Sequence, residues 1–461
     1  MKPLPLKELI GVMNGELVYG DENFIVKDAM VSHLHRIKEK HTLIFLKKKK
    51  AFQIDKVKRY SPYIIVTDKS DEEMKNIEAA GMIRVQNADD AFWDFTRYYR
   101  HLFELPIVAV TGTCGKTTTK EMLSHLLSST HSIQSTIRSR NATRKSFQYL
   151  MGIDENTDAA VFETGLNGPG NLHYHCKVFQ PTIGIITTIG VDHLDKCKTL
   201  DGYIKAKSEI VSGVREGGTL ILNSEDENTQ KISLTGFSGD IIYCGTSESA
   251  DYRASDIVYK KNGMSFTLHH KERTYKTYLP GFGEHQIYNA LFALAAAHKI
   301  GLNLSKAVIR MRAFKNLERH LQVEEGINAS MIIDDTWSSN PTSVAAAIQV
   351  LETLGNNKTN ALLLGDIAYL GSHVRKVYHD LGKLIASTKI DIFIAVGKNT
   401  KYIANHAKKY GFKGEVYTTA SAALVKGYVE SLLDEKTVLL VKGSMMDTEL
   451  IGLARSFKMK E

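Results

Sequence analysis

Cysteine is scarce in this chain: four residues in 461, at Cys114, Cys176, Cys197 and Cys244. They are scattered and none forms a CxxC pair, which argues against a zinc site or a disulfide framework. No run approaches the roughly 20 apolar residues that a membrane helix needs. The opening MKPLPLKELIGVMNGEL has no long apolar core and no cleavage site, so it does not read as a signal peptide. The expectation is a cytoplasmic protein without a membrane span. There is no arginine-rich arm and no basic patch interleaved with aromatics. The net charge of +8 therefore fits anionic small ligands better than nucleic acid. Internal repeats and low-complexity segments are also missing.

What is present is an ordinary globular composition, 43% hydrophobic and 24% charged, on a chain long enough for two to four domains. Three blocks are expected. Residues 1–104 hold short mixed elements, among them a strand at YIIVTD and a helix over DEEMKNIEAAG that ends at its glycine. FLKKKKAF, with Lys47 to Lys50, reads as a solvated edge or loop. Residues 105–314 alternate short apolar runs (PIVAVTG, DAAVFETG, PTIGIITTIG, GTLILNSED) with helical stretches, the mark of a parallel sheet with crossover helices. Residues 315–461 repeat that pattern at SMIIDD, NALLLGD, DIFIAVG and TVLLVKGS, which predicts a compact Rossmann-like, doubly wound domain. The fold class is α/β.

The chemistry starts at PIVAVTGTCGKTTTKEML. A standard phosphate loop has its first glycine six residues before the lysine, and here that position is Val110. The loop is nevertheless bounded by a strand (PIVAV) and a helix (KTTTKEMLSHLL). Backbone N–H groups and the helix dipole can then cradle phosphate. Gly112 and Gly115 permit the tight turn, Lys116 can reach terminal phosphates, and the Thr117 hydroxyl can hold Mg²⁺.

This TGTxGKTT form resembles the nucleotide loop of the Mur ligases, the ATP-dependent ligases that build the peptide of bacterial cell wall. Other segments follow in the family's order. VFETGLNGPGNL resembles its strand ending in a metal-binding glutamate, here Glu163. TTIGVDHLD resembles its histidine turn, here His193, and YIKAKSEI its lysine helix, with Lys207 at the position the family carbamylates. GFGEHQIYNALFALAAA is similar to G-x-H-N-x-x-N-A, with Gln286 in place of the first asparagine. DDTWSSNPTS resembles D-D-x-Y-x-x-N-P-x-S. LLLGDIAYLGSHVRKVYHDLG and VKGSMMDTEL are similar to the branch that adds D-alanyl-D-alanine to UDP-N-acetylmuramoyl-tripeptide.

The resemblance implies a three-domain, Mg²⁺-dependent ligase that activates a carboxylate as an acyl phosphate, and then joins it to an amine. It implies a monomer with small-molecule partners, an anionic carboxylate and an amino acid or dipeptide. Gly112, Thr113, Cys114, Gly115, Lys116, Thr117 and Thr118 would surround ATP phosphates. Thr117, Glu163, His193 and carbamylated Lys207 would serve the metal. His285 and Asn289 would lie near adenine, Asp335 near ribose, and Arg319 would reach phosphate after domain closure. Lys116, His193, Lys207 and Arg319 are the expected catalytic set. Cys114, beside a helix N-terminus that lowers thiol pKa, would be reactive and shielded by ATP.

Departures from the family cluster on acceptor recognition. In VSHLHRIKEKHTLIFLKKKKAF, Leu34 and His35 replace an Asp-Ser pair while Arg36 is kept. In TIRSRNATRKS, Asn141 is kept, and Thr143 and Arg144 replace paired asparagines. Tyr369 replaces a glutamate and Met445 an arginine. Arg138, Arg140, Arg144 and Lys145 favour an anionic acceptor. Two alternatives to the cell-wall ligase follow: a paralogue acting on a different anionic carboxylate, and a non-catalytic nucleotide-binding regulator.

Overall fold

The computed structural model describes residues 1–31, 39–46, 60–74 and 77–459. Leu34, His35, Arg36 and the lysine run Lys47 to Lys50 lie outside the described residues.

The central sheet has nine strands. In spatial order from one edge they are Ile133–Ser135, Ala159–Glu163, Ile107–Thr111, Ile183–Ile186, Thr219–Asn223, Asp240–Gly245 and Tyr252–Lys260, each parallel to the next. Gly263–His270 and Arg273–Pro280 then extend the sheet antiparallel. These last strands correct the expectation of an all-parallel central block. Arg273–Pro280, like the neighbouring Tyr252–Lys260, mixes buried and exposed positions, as in a sheet with one wetted face, so no continuous apolar run announces it.

The four middle strands, Ile107–Thr111, Ala159–Glu163, Ile183–Ile186 and Thr219–Asn223, are buried throughout because both faces are covered. Val108, Val110, Val161 and Ile185 pack with the Lys116–Leu127, Glu284–Lys299 and Leu304–Met311 helices. Ala109, Ile186, Leu220 and Leu222 pack on the other face with Asn171–Phe179 and Leu200–Gly213.

The C-terminal sheet has six strands, ordered Gln322–Glu325, Met331–Asp335, Thr437–Lys442, Thr359–Leu364, Ile392–Val396 and Glu415–Thr419. Only the first pairing is antiparallel. Successive residues feed opposite cores: Ile333, Leu362 and Leu440 join one, Ile332, Leu363 and Leu439 the other. This is the doubly wound α/β arrangement.

Among the described residues the N-terminal sheet has five strands, with Thr42–Leu46 and Tyr63–Thr67 at its buried middle. The expected helix over DEEMKNIEAAG is restricted. The described helix covers Asp71–Met74, and Gly81 opens the strand Gly81–Arg84 instead of ending a helix. The Ala88–His101 helix, capped by Asn87, docks this sheet onto the central domain. Phe92, Phe95 and Tyr99 share one core with Phe147, Phe162 and Phe179. No helix among the described residues is long and apolar enough to cross a membrane.

Candidate active site

The strand Ile107–Thr111 delivers the short loop to the head of the Lys116–Leu127 helix. Two glycines are required by geometry. Gly112 has φ 142° and a Cβ there would stand 1.9 Å from Thr187 Oγ1. Gly115 has φ 82° and a Cβ would stand 2.2 Å from Asn289 Oδ1. The loop is also stitched to the next strand's end: Thr113 N–H donates to Thr188 O at 2.6 Å, and Gly190 N–H to Thr113 Oγ1 at 2.9 Å. Lys116 folds back and donates to Thr113 O at 2.9 Å. Gly115→Ala is expected to weaken nucleotide binding by roughly 1–3 kcal/mol through left-handed strain and the Asn289 contact. Titration with a fluorescent ATP analogue checks this.

Beside the loop, Thr117 Oγ1 donates to Glu163 Oε2 at 2.8 Å and Asn141 Nδ2 donates to Glu163 Oε1 at 2.5 Å. Glu163 ends its strand and is 2% exposed. A hydroxyl and a carboxylate side by side at the end of a phosphate loop are hard oxygen donors, and they fit Mg²⁺. Among the described residues no group of three or more His, Cys, Asp or Glu side chains could hold a metal.

Lys207 lies directly under the loop and is 1% exposed. Its Nζ donates to Gly112 O at 2.9 Å and Thr111 Oγ1 at 3.1 Å. Burial first, and the Lys116 charge second, hold its pKa well below the ordinary lysine value.

His193 caps the short helix Leu194–Cys197 in a left-handed conformation, φ 48°. Its Nδ1 is buried without a partner, and Nε2 stands 4.0 Å from Asp192 Oδ2. Burial pulls its pKa down, with Asp192 opposing. Its ring stacks on Tyr369 of the C-terminal domain, centroids 5.1 Å apart.

Between the loop and the C-terminal sheet lies a cleft of about 290 Å³, whose walls include Cys114, Gly115, Thr118, His285, Asn289 and Asp335. Asn289 accepts from Thr119 Oγ1 at 3.2 Å and donates to Gln286 Oε1 at 3.1 Å. Burial pulls His285 down to about 4. It is therefore neutral and offers one donor and one acceptor. Asp335 accepts from Leu321 N at 3.3 Å and pairs with Lys442 Nζ at 2.6 Å. Lys442, 1% exposed, also donates to Ser338 O at 2.6 Å.

Arg319 is not brought to this cleft wall. It has φ 60°, its guanidinium lies 4.7 Å over the Trp337 ring, and its buried Nε has no partner. Arg138, Arg140 and Arg144 sit exposed around Asn141 and take part in no ion pair among the described residues.

Cys114 corrects its expectation. Burial, its largest influence, pushes the thiol pKa up, against smaller lowering by Lys116 and by the 3.4 Å contact to Asn340 Oδ1. Alkylation is expected to be slow without nucleotide as well as with it. Mass-spectrometric labelling rates at Cys114 and at a free thiol standard test that.

Lys442, Gln286 and Trp337 were not singled out as site residues by sequence. A signal existed for Lys442: it is a lysine closing the apolar run TVLLV, where a strand's C-terminal end faces the cleft.

A phosphate loop on a parallel sheet, facing a second, doubly wound α/β domain across a cleft, defines an enzyme class in which two bodies close on a nucleotide. Comparisons narrow the class. Residues 110–297 match the model of the Mur ligase middle domain, and residues 319–445 that of the Mur ligase glutamate ligase domain. Together they take up more than half of the chain, and it belongs to the Mur ligase family. Among similar proteins, the UDP-N-acetylmuramoyl-tripeptide–D-alanyl-D-alanine ligase of Bacillus subtilis is 29% identical, covering 74% of this chain and 73% of that protein. The ligase of the same name from Buchnera aphidicola (Acyrthosiphon pisum) is 28% identical over 96% of both. The solved structure of MurF from Acinetobacter baumannii matches with TM-score 0.83 and 26% identity, covering 99% of each chain.

Proposed function

We propose that this protein is an ATP-dependent ligase that joins D-alanyl-D-alanine to UDP-N-acetylmuramoyl-tripeptide in peptidoglycan synthesis, in the cytoplasm. The observation that carries the reading is one cluster. Lys116, Thr117 and Glu163 stand at the loop, and the buried amine of Lys207 lies under the same loop. The names of the similar proteins supply the two substrates.

In the first step an oxygen of the acceptor carboxylate attacks the γ-phosphorus of ATP and ADP leaves. In the second the amine attacks the acyl carbon, loses a proton, and expels phosphate. The protein's work is positioning and charge neutralisation. Lys116 leaves Thr113 O for the phosphates. Thr117 and Glu163 would hold Mg²⁺, and the buried free Nδ1 of His193 suits a second ion. Bound Mg²⁺ would supply neutralisation of the transferring phosphoryl group. Burial and the Lys116 charge lower the Lys207 pKa, which favours the unprotonated form that adds CO₂, and its carbamate would present oxygens where an ammonium would repel cations. Asn289 and His285 hold the base and Asp335 the ribose. Arg319 moves from Trp337 to phosphate as the domains, 1–104, 105–314 and 315–461, close and exclude water.

The test is incubation of purified protein with Mg²⁺, ATP and bicarbonate, adding the two substrates separately and together. ADP release that needs both, with the joined product seen by mass spectrometry, supports the reading. Steady release with neither substrate, or none with both from protein that binds ATP, rejects it.

A further inference from the structure

Tyr369 holds an unusual backbone. Its φ is +62°, a left-handed conformation that is a genuine outlier for a bulky side chain. Conformations of that kind persist only where surrounding contacts enforce them. Here the contacts cross from the C-terminal domain to the central one. The Tyr369 ring stacks on His193, with an interplanar angle of 28°. Tyr369 O accepts from Asp195 N at 3.4 Å. Gly371, at φ 55°, lies so close that a Cβ would stand 2.9 Å from Asp195 Cα. His373 Nε2 is 2.7 Å from Lys198 O. The segment from Tyr369 to His373 is therefore seated on the turn and helix that carry His193. Tyr369 itself remains 53% exposed, so its ring is not held there by a surrounding core. On the His193 side, Nδ1 has no partner and Asp192 approaches only to 4.0 Å. The Tyr369 ring lies against this imidazole from across the domain interface.

We infer that Tyr369 is a positioning residue that fixes the His193 imidazole from across the domain interface, so that the ligase site is complete only while the C-terminal domain is docked. The inference rests on the proposed role of His193. It adds a physical link between closure and chemistry: when the domains separate, His193 loses the surface that orients it. The backbone strain is maintained by the docked contacts and is released on opening.

The experiment compares Tyr369→Phe, Tyr369→Ala and Tyr369→Gly, each also in a His193→Ala background. Loss of an aromatic pair is worth ~tenfold in rate. Ala and Gly are expected to lower turnover by that factor with KM for ATP unchanged, while Phe retains it. In the His193→Ala background the same substitutions are expected to have no further effect. Tyr369→Gly removes the left-handed strain, so its melting temperature should equal or exceed that of the parent. A merely structural tyrosine would make turnover follow melting temperature. Effects that multiply in the double variants, or a Gly variant that loses stability and activity together, overturn the inference. A second readout needs no substrate. Hydrogen exchange of residues 192–198 in the ADP-bound protein should quicken in Tyr369→Ala, and unchanged exchange overturns the inference. If no acceptor supports turnover the ligase reading fails, and the exchange result still decides the contact.

Discussion

Lys116→Ala is expected to lower amide formation by about 10³-fold or more while leaving the protein folded. Removing one preorganised electrostatic contact from a transition state costs on the order of 10²–10³ in rate. Lys116 is the cation inside the loop itself, where its Nζ donates to Thr113 O. A second effect adds to the first. The Lys116 charge helps hold the Lys207 amine low, and its loss lets that amine bind a proton more readily. Protonated Lys207 cannot add CO₂. Bicarbonate should therefore stimulate the variant only at higher pH than the parent. Phosphate release at saturating substrates measures the loss, and a variant within tenfold of the parent contradicts the assignment.

Lys442→Met should destabilise the fold by about 3–5 kcal/mol, the range for breaking one side of a buried ion pair. Lys442 and Asp335 face each other on neighbouring parallel strands and are almost sealed from water. Removing the ammonium leaves the Asp335 carboxylate with Leu321 N alone and deprives Ser338 O of its donor. Methionine keeps the length and strand position, so the loss belongs to the charge. The double variant Lys442→Met, Asp335→Leu should recover much of the stability, because it buries no unpaired charge. Urea unfolding of the set gives both numbers. Both variants should also bind ATP less well, since the pair lines the cleft.

Much of this was legible in the chain, for a physical reason. Parallel strands covered on both faces must be apolar at every position, and those runs were readable at Ile107–Thr111, Ala159–Glu163 and Thr437–Lys442. The helix read from KTTTKEMLSHLL coincides with Lys116–Leu127. The antiparallel strands between Tyr252 and Pro280 were not legible, because Tyr252–Lys260 and Arg273–Pro280 mix buried, half-buried and exposed positions and form no continuous apolar run. The loop residues could be named because a strand and a helix bound the loop on either side, whereas Glu163 and Lys207 were named by the resemblance of their segments to the Mur ligases. The contacts between distant segments could not. Tyr369 meets His193 only after two domains have folded and docked, and Lys442 meets Asp335 only once two strands distant in sequence pair within the C-terminal sheet; no local pattern carries either. Cys114 shows the limit of a local rule: a helix N-terminus favours thiolate, but burial in the folded protein is the larger influence and acts the other way.

The most direct test of acyl phosphate chemistry is to follow the oxygen. UDP-N-acetylmuramoyl-tripeptide with its reacting carboxylate labelled with ¹⁸O would be turned over with ATP and D-alanyl-D-alanine, and the released phosphate analysed by mass spectrometry. The two-step reaction predicts one labelled oxygen in the phosphate for each amide formed. Amide formed with unlabelled phosphate would contradict it.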